Sequence, residues 1–328
     1  MTSQKQESNG VAVFLDWASL SHNDIDQQAL NAAYPNWDYR DNSAPKELPT
    51  LLQQAEIVVS NKVVLDLDAL PESCIQNLKL ICVAATGYNN INLEAAKRRG
   101  VSVCNVRDYA TASVTQHVFS MLLCLTNHLI AYHNDVHKGL WSKSPFFSLF
   151  HHPISELSGK IMGIIGYGVL GRSVASMAQA MGMKVVVAQH AGLPVMDNVL
   201  SLDDLLRQAD VVSVHCPLNE KTQGLIGSRE LELMKSDAIL INAARGGIVD
   251  ETALVDALRR KLIAAAALDV LTQEPPPFDH PLIKANLSNL LLTPHIAWAS
   301  QHARQSLVNK VADNIRAFRG GQPTNLLS

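Results

Sequence analysis

GKIMGIIGYGVLGRSVASMAQAMGMKVVVAQH, residues 159–190, passes from a short apolar run through three closely spaced glycines into an amphipathic stretch and out to a second apolar run, KVVVA. That order reads as strand, tight turn, helix and second strand. Within Gly166-Tyr167-Gly168-Val169-Leu170-Gly171, the first glycine allows the tight turn, the second lets backbone approach a pyrophosphate, and the third lets helix pack on strand. The helix N-terminus at Val169 and Leu170 then offers free N–H groups and partial positive charge to phosphates. A glycine-rich turn alone is only a tight connection. Flanked by strand, helix and second strand, it predicts a dinucleotide-binding βαβ unit.

Working outward, six short apolar runs (IMGII, KVVVA, VVSVH, AILINAA, AAAALDV and NLLLT) are spaced by segments long enough for crossover helices. Six such runs suit a doubly wound dinucleotide-binding sheet. Before residue 105, the runs VAVFL, EIVVS, LKLICVAA and VSVCNV alternate with helical stretches such as NLEAAKRRG, which predicts a second parallel α/β sheet. Between the two lies TASVTQHVFSMLLCLTNHLIAYHNDVHKG, apolar around much of its circumference in its first half. This predicts one long helix, buried or packed on a second subunit. The tail SQHARQSLVNKVADNIRAFRGG reads as a terminal helix ending at a glycine pair.

The second strand of the βαβ unit ends at Gln189-His190, where an NAD site ordinarily offers Asp or Glu to the ribose hydroxyls. Gln189 can hydrogen-bond a ribose hydroxyl and removes the repulsion that excludes a 2′-phosphate. QHAGLPV, however, brings no Arg or Lys to clamp such a phosphate. NAD and NADP both stay open, with a lean to NAD.

Arg245, Glu274 and His295 close three successive segments that read as strand plus exit loop: INAARGGIVDE, LDVLTQEPPP and LLLTPHIAWAS. A fork-shaped cation, a carboxylate and an imidazole at one sheet edge match what 2-keto acid reduction demands. These are an anchor for the carboxylate, a proton donor for the carbonyl oxygen and an anion to tune that donor. His215, Cys216, Pro217, Ala243 and Ala244 also follow strand ends, where a bound dinucleotide must lie.

At roughly 150 residues per domain, 328 residues suggest two domains. Charged residues make up 17% and the formal net charge is −3, with Lys and Arg scattered, so no footprint for nucleic acid or an anionic membrane exists. The start MTSQKQESNG has no apolar leader, and VFSMLLCLTNHLIAY is too short and interrupted to span a bilayer, so a cytoplasmic protein is expected. Five cysteines without C-x-x-C spacing suit reduced thiols. No metal is expected: His215-Cys216 lacks further ligand spacing, and His151-His152 reads as a surface pair.

The motifs AATGYNNINLEAAKRRGV, NVRDYATASVTQHV, GKIMGIIGYGVLG, ADVVSVHCPL, INAARGGIVDE, ALDVLTQEPP and TPHIAWAS, in this order, resemble the D-isomer-specific 2-hydroxyacid dehydrogenases along nearly the whole chain. GMKVVVAQH and TPHIAWAS are most similar to bacterial glycerate dehydrogenases, also called hydroxypyruvate or glyoxylate reductases. Those relatives usually carry an acid where Gln189 stands. The resemblance implies a Rossmann nucleotide domain over 105–296, inserted in a flavodoxin-like substrate domain formed by 1–104 and 297–328. It implies that His295 protonates the carbonyl oxygen, that Glu274 favours the imidazolium and orients it, and that Arg245 holds the substrate carboxylate. Ala85, Thr86, Gly87 and Tyr88 resemble the loop whose backbone N–H groups receive that carboxylate. Asp269 matches the residue reaching the nicotinamide carboxamide, and His190, Arg245, His295 and Ala297 join the expected cofactor contacts.

Trp298 is expected to wall the substrate pocket, and Trp141 to pack in the core or an interface, or to reach a partner subunit's site. The apolar helix beginning near Ser113 resembles a dimerisation element, so a homodimer is expected. Two alternatives stand beside the hydroxypyruvate or glyoxylate reductase reading. A phosphoglycerate-type dehydrogenase would want a basic cluster and often an appended regulatory domain, for which the chain ends too early. A corepressor-like, NAD-sensing interaction protein would bind cofactor without needing turnover.

Overall fold

The computed structural model describes residues 10–190, 192–193 and 197–327. The chain divides into two compact units: one runs to Ala110 and resumes at Ala299, and the other is Thr111–Trp298. Residues 105–110 fall in the first of these units. Local bonding explains why. Asn105 donates its N–H to Asn325, Val106 donates to Ala85, and the Asn314 amide donates to the Asn105 carbonyl, so this stretch is tied into the first unit.

The first unit is built on five parallel strands: β1 (Val11–Phe14), β2 (Trp37–Tyr39), β3 (Ala55–Ser60), β4 (Leu80–Val83) and β5 (Ser102–Cys104). Their order is β2-β1-β3-β4-β5, the flavodoxin-like arrangement. β4 is buried at every position, which is why it reads as a continuous apolar run. The short β2, WDY, is half-buried throughout and carries no such run, so sequence periodicity passes over it. The terminal helix Gln301–Arg319 starts at Ser300, whose hydroxyl accepts the Ala303 N–H. It buries Leu307, Val308, Val311, Ala312 and Ile315, the i, i+3, i+4 face of an amphipathic helix.

The second unit carries seven parallel strands: β6 (Ile161–Ile165), β7 (Lys184–Ala188), β8 (Val199–Leu200), β9 (Val211–Val214), β10 (Ile239–Asn242), β11 (Ala265–Leu268) and β12 (Leu290–Leu292). Their order is β12-β11-β10-β9-β6-β7-β8. The chain therefore winds one way from β6 through β7 to β8 and the other way from β9 onward. The crevice at the carboxyl ends of β6 and β9 is the switch point where such sheets take ligands. The two-residue β8 is the strand that six apolar runs did not reveal.

The single long helix expected before β6 is two: Thr111–Thr126 and Leu129–His137, separated by His128 in the left-handed region at φ 51°. No glycine or proline marks the break in sequence. Thr126 instead turns its hydroxyl back to the Leu122 carbonyl, and Asn127 donates its amide to the Leu123 carbonyl, closing the first helix with side chains.

The glycine turn after β6 is tightly built. Gly166 has φ 95°, and a Cβ there would stand 2.5 Å from the Cys216 nitrogen, so the β6 and β9 exits touch backbone to backbone. A Cβ on Gly171 would stand 2.1 Å from the Gly166 carbonyl oxygen, whereas Gly168 faces open space. Gly171→Ala is therefore expected to cost about 2 kcal/mol or more, because backbone must move. Gly168→Ala is expected to stay within about 0.5 kcal/mol of the parent. Chemical denaturation of the two variants checks this; equal stabilities would contradict the packing described.

Candidate active site

β10, β11 and β12 are adjacent and parallel, so their carboxyl ends share one edge of the sheet. Each exit carries one member of the predicted trio. The first begins at buried Asn242, whose side chain accepts the Ala244 N–H at 3.0 Å and donates to the Arg245 carbonyl at 2.8 Å. This ring of bonds sets the loop Ala243–Arg245, and the Arg245 guanidinium donates to the Ala244 carbonyl at 2.7 Å.

The β11 exit begins at Asp269, 1% exposed, and turns back through Leu271 to Glu274. The Glu274 carboxylate is used at both oxygens. Oε1 accepts the Leu271 N–H at 2.8 Å, and Oε2 lies 2.6 Å from His295 Nδ1. The first bond fixes the carboxylate in its own loop; the second hands it to the imidazole. Both side chains are about a third exposed, at 34% and 29%, so their free edges reach solvent.

The β12 exit, Thr293-Pro294-His295, places His295 at φ 55°, a left-handed conformation that a side chain rarely adopts. Asp269 holds this turn. Its Oδ1 accepts the Thr293 hydroxyl at 2.5 Å and the Ile296 N–H at 2.9 Å, and its Oδ2 accepts the Ala297 N–H at 2.8 Å. Burial pushes the Asp269 carboxyl upward, but bonds from His117, Thr293, Ala297 and Ile296 outweigh it, leaving the group below the usual carboxylate range.

His117 comes from the helix Thr111–Thr126, with Nε2 3.0 Å from the Thr293 hydroxyl and 3.4 Å from Asp269 Oδ1. The Thr293 hydroxyl owns one hydrogen and gives it to Asp269, so His117 Nε2 must be a donor. His117 and Thr293 were missed in sequence. Thr293 had a local signal, a hydroxyl two residues before the histidine; His117 had none, since only the packed helix brings it there.

The predicted dinucleotide residues gather at the β6, β7 and β9 exits. Gly168 caps the helix Val169–Ala180 without a side-chain bond, and the space beside it is open, so the helix N–H groups and that gap fit a phosphate. Leu170 and Gly171 lie in the first turn. Gln189 and His190 follow β7 and are exposed, with the Gln189 N–H on the Leu200 carbonyl. Ala191, Pro194 and Val195 of QHAGLPV, and Met196 after it, lie outside the described residues.

His215 Nε2 pairs with the Ser213 hydroxyl at 2.9 Å and its Nδ1 is buried without a partner; burial drives the imidazole down to about 4, so it is neutral near pH 7. Burial likewise raises the Cys216 thiol. Pro217 is exposed, its carbonyl accepting the Thr222 hydroxyl. Ala297 is buried and its carbonyl accepts the Ser113 hydroxyl; Trp298 is half-buried at the end of the unit.

In the first unit, Ala85, Thr86, Gly87 and Tyr88 follow β4. The Thr86 hydroxyl donates to the Val106 carbonyl, the Asn105 amide to the Thr86 carbonyl, and Tyr88 is 41% exposed. In the second, His151 and His152 both contact the Asp135 carboxylate, at 3.3 and 3.0 Å. Among the described residues no group of three or more His, Cys, Asp or Glu could hold a metal, and no helix is long and apolar enough to cross a membrane.

Comparison with known proteins identifies the family. The family model for the D-isomer specific 2-hydroxyacid dehydrogenase NAD binding domain matches residues 119–297. The chain is 42% identical to a glycerate dehydrogenase of Methylorubrum extorquens, covering 96% of this chain and 98% of that one. It is 37% identical to a hydroxypyruvate reductase of Blautia hydrogenotrophica, covering 96% and 99%. Among solved structures it resembles a D-lactate dehydrogenase from Aquifex aeolicus complexed with NAD and lactic acid, at 27% identity and a TM-score of 0.81, covering 97% of this chain and 99% of that one. With its two parallel sheets and its strand-exit residues, the chain belongs to the D-isomer specific 2-hydroxyacid dehydrogenase family.

Proposed function

We propose that the protein reduces small 2-keto acids to D-2-hydroxy acids, with hydroxypyruvate or glyoxylate as the preferred substrate. The observation that carries this reading is the 2.6 Å contact between Glu274 and His295 at one sheet edge, with Arg245 on the adjacent strand exit. The names of the relatives from Methylorubrum extorquens and Blautia hydrogenotrophica support the substrate class.

In this reading Arg245 binds the substrate carboxylate, so that the keto carbon is held in one orientation. His295, held at Nδ1 by Glu274, presents Nε2 to the carbonyl oxygen and delivers its proton there; in the reverse direction Nε2 takes the proton back. Glu274 stabilises the positive charge of the doubly protonated ring and fixes the ring plane. A bound nicotinamide dinucleotide supplies the two electrons and the hydrogen at the keto carbon. Gly166, Gly168, Val169, Leu170 and Gly171 would hold its phosphates, Gln189 and His190 the adenosine ribose, and His215, Cys216, Pro217, Ala243, Ala244 and Asp269 the remainder. Ala85, Thr86 and Gly87 are proposed substrate contacts on the resemblance of their loop, and Trp298 a pocket wall.

For the cofactor we favour NAD. The sequence after Gln189 brings no Lys or Arg through Val195 to meet a 2′-phosphate, although Gln189 itself repels neither cofactor. The unit Thr111–Trp298 is taken as the nucleotide domain and the remainder as the substrate domain. A homodimer is supported by the exposed apolar surface between residues 129 and 154. Phe147 is 92% exposed, Phe150 87% and Phe146 72%, with Leu129, Ile130, Trp141 and Ile154 all above half, more than an isolated chain tolerates. Five free cysteines suit the reducing cytoplasm.

Initial rates on hydroxypyruvate, glyoxylate, pyruvate and 3-phosphohydroxypyruvate, with NADH and NADPH, test the function. The first two with NADH are expected to give the highest kcat/KM, and a panel left unreduced would sink the reading. His295→Ala is expected to lower kcat by about 10²-fold or more with cofactor affinity kept; unchanged turnover would favour a nucleotide-sensing protein. Gln189→Asp is expected to weaken NADPH use by about 10-fold or more relative to NADH, through repulsion of the 2′-phosphate. Sedimentation equilibrium is expected to give twice the chain mass, and Phe147→Glu to shift it toward the single-chain mass.

A further inference from the structure

We propose that Glu251 is a positioning residue for the proposed reaction: it pins the loop that presents Glu274 onto the loop that presents Arg245, with His280 holding Glu251 in turn. The inference rests on the functional reading above, in which Glu274 orients His295. Its geometry lies wholly within the second unit.

The two loops meet at backbone distance. A Cβ on Gly246, the residue after Arg245, would stand 1.9 Å from the Leu271 carbonyl oxygen and 2.4 Å from the Thr272 nitrogen. Only a glycine lets the loops close to this separation. One side chain then fastens the contact: Glu251 Oε1 accepts the Thr272 N–H at 2.7 Å. Glu251 opens the helix Glu251–Arg259, but the capping of that helix is done by Asp250, whose carboxylate accepts the Thr252 and Ala253 N–H groups. The Glu251 carboxylate is therefore free of its own helix and is spent on the neighbouring loop.

The other oxygen is held from below. His280, 6% exposed, places Nε2 at 3.1 Å from Glu251 Oε2, and the Glu251 side chain is itself only 13% exposed. His280 Nδ1 is buried without a partner. An N–H there would be an unmet buried donor, so the hydrogen sits on Nε2 and points to Glu251. The result divides two consecutive N–H groups between two carboxylates: Leu271 donates to Glu274 and Thr272 to Glu251. Withdrawing Glu251 frees the Thr272 end of this loop, and the 2.6 Å contact between Glu274 and His295 loses part of its support.

The test compares Glu251→Ala, Glu251→Asp and Glu251→Gln with the parent. The Gln carbonyl still accepts the Thr272 N–H, with its NH2 turned to a His280 ring that moves its hydrogen to Nδ1 and accepts at Nε2, whereas the Asp carboxylate keeps the charge beside His280 and retreats from Thr272. Proton NMR of the protein without cofactor reads the His295 Nδ1–H resonance, identified by its loss in His295→Ala. That resonance is expected to move upfield or broaden away in the Ala and Asp variants and to persist in the Gln variant. With the preferred keto acid, kcat is expected to fall about 10-fold in Ala and Asp and less than about 3-fold in Gln, with cofactor Kd near the parental value; Tm is expected to fall in Ala and Gln, which leave a buried His280 N–H unmet, without kcat following it in Gln. A parental resonance and kcat in the Asp variant overturn the proposal, as does an equal loss in Gln and Asp with a matching fall in Tm. If the Ala variant does not fold, the Asp variant decides. If the parent reduces no keto acid, the functional reading fails, and the resonance alone sustains or overturns the role of Glu251.

Discussion

The carboxylate of Asp269 sits at the end of β11 with 1% of the residue exposed and accepts the Thr293 hydroxyl and the N–H groups of Ile296 and Ala297. A buried charge must be met by donors, and here the donors are the exit of the next strand. The path of that exit is therefore dictated by the charge. His295 is carried through a left-handed conformation at a cost of roughly 1–2 kcal/mol, while hydrogen bonds to a charged acceptor contribute about 1.5–3 kcal/mol each. Two backbone bonds from Ile296 and Ala297 are enough to hold the turn against its strain. Replacing Asp269 by an apolar residue would remove the acceptor and leave the turn no reason to stay.

Why three strand exits cooperate follows from the parallel sheet. Neighbouring strands stand about 4.8 Å apart, and parallel strands all end on the same side. β10, β11 and β12 thus deliver Arg245, Glu274 and His295 to one edge. An antiparallel sheet of the same strands would send alternate exits to opposite edges. The ordering of the sheet around β6 likewise separates the work: the β6, β7 and β9 exits offer backbone and open space, and the β10 to β12 exits offer charge.

Much of this was legible from sequence for physical reasons. Ten of the strands read as apolar runs, nine because they are mostly buried in parallel sheets and β12 because it is three leucines although half-buried at a sheet edge, and the trio was legible because it follows three of those runs directly. What escaped was short or non-local. WDY and VL, the two missed strands, are half-buried and pair at sheet edges. The break at His128 is made by side-chain bonds from Thr126 and Asn127 and not by a glycine or proline. His117 lies on a helix whose pattern speaks only of its buried face, and its nearness to Thr293 spans 176 residues of chain. Glu251 carries no signal of its own in the sequence, because the N–H it serves belongs to a loop 21 residues away.

Three carboxylates, Asp269, Glu274 and Glu251, stand behind an edge proposed to receive an anionic substrate, an arrangement that would repel it if any were unmatched. Each is matched. Asp269 is enclosed and taken up by the Thr293 hydroxyl, two backbone N–H groups and His117; Glu274 faces the imidazole of His295; Glu251 is shared between His280 and the Thr272 N–H. Arg245 is treated differently, since its guanidinium bonds the neutral Ala244 carbonyl, so its charge is left largely uncancelled. The edge thus carries a positive charge where the proposed function needs a carboxylate to bind, and an imidazole where it needs a carbonyl oxygen to be met. The acids that tune it are held behind by bonds of their own.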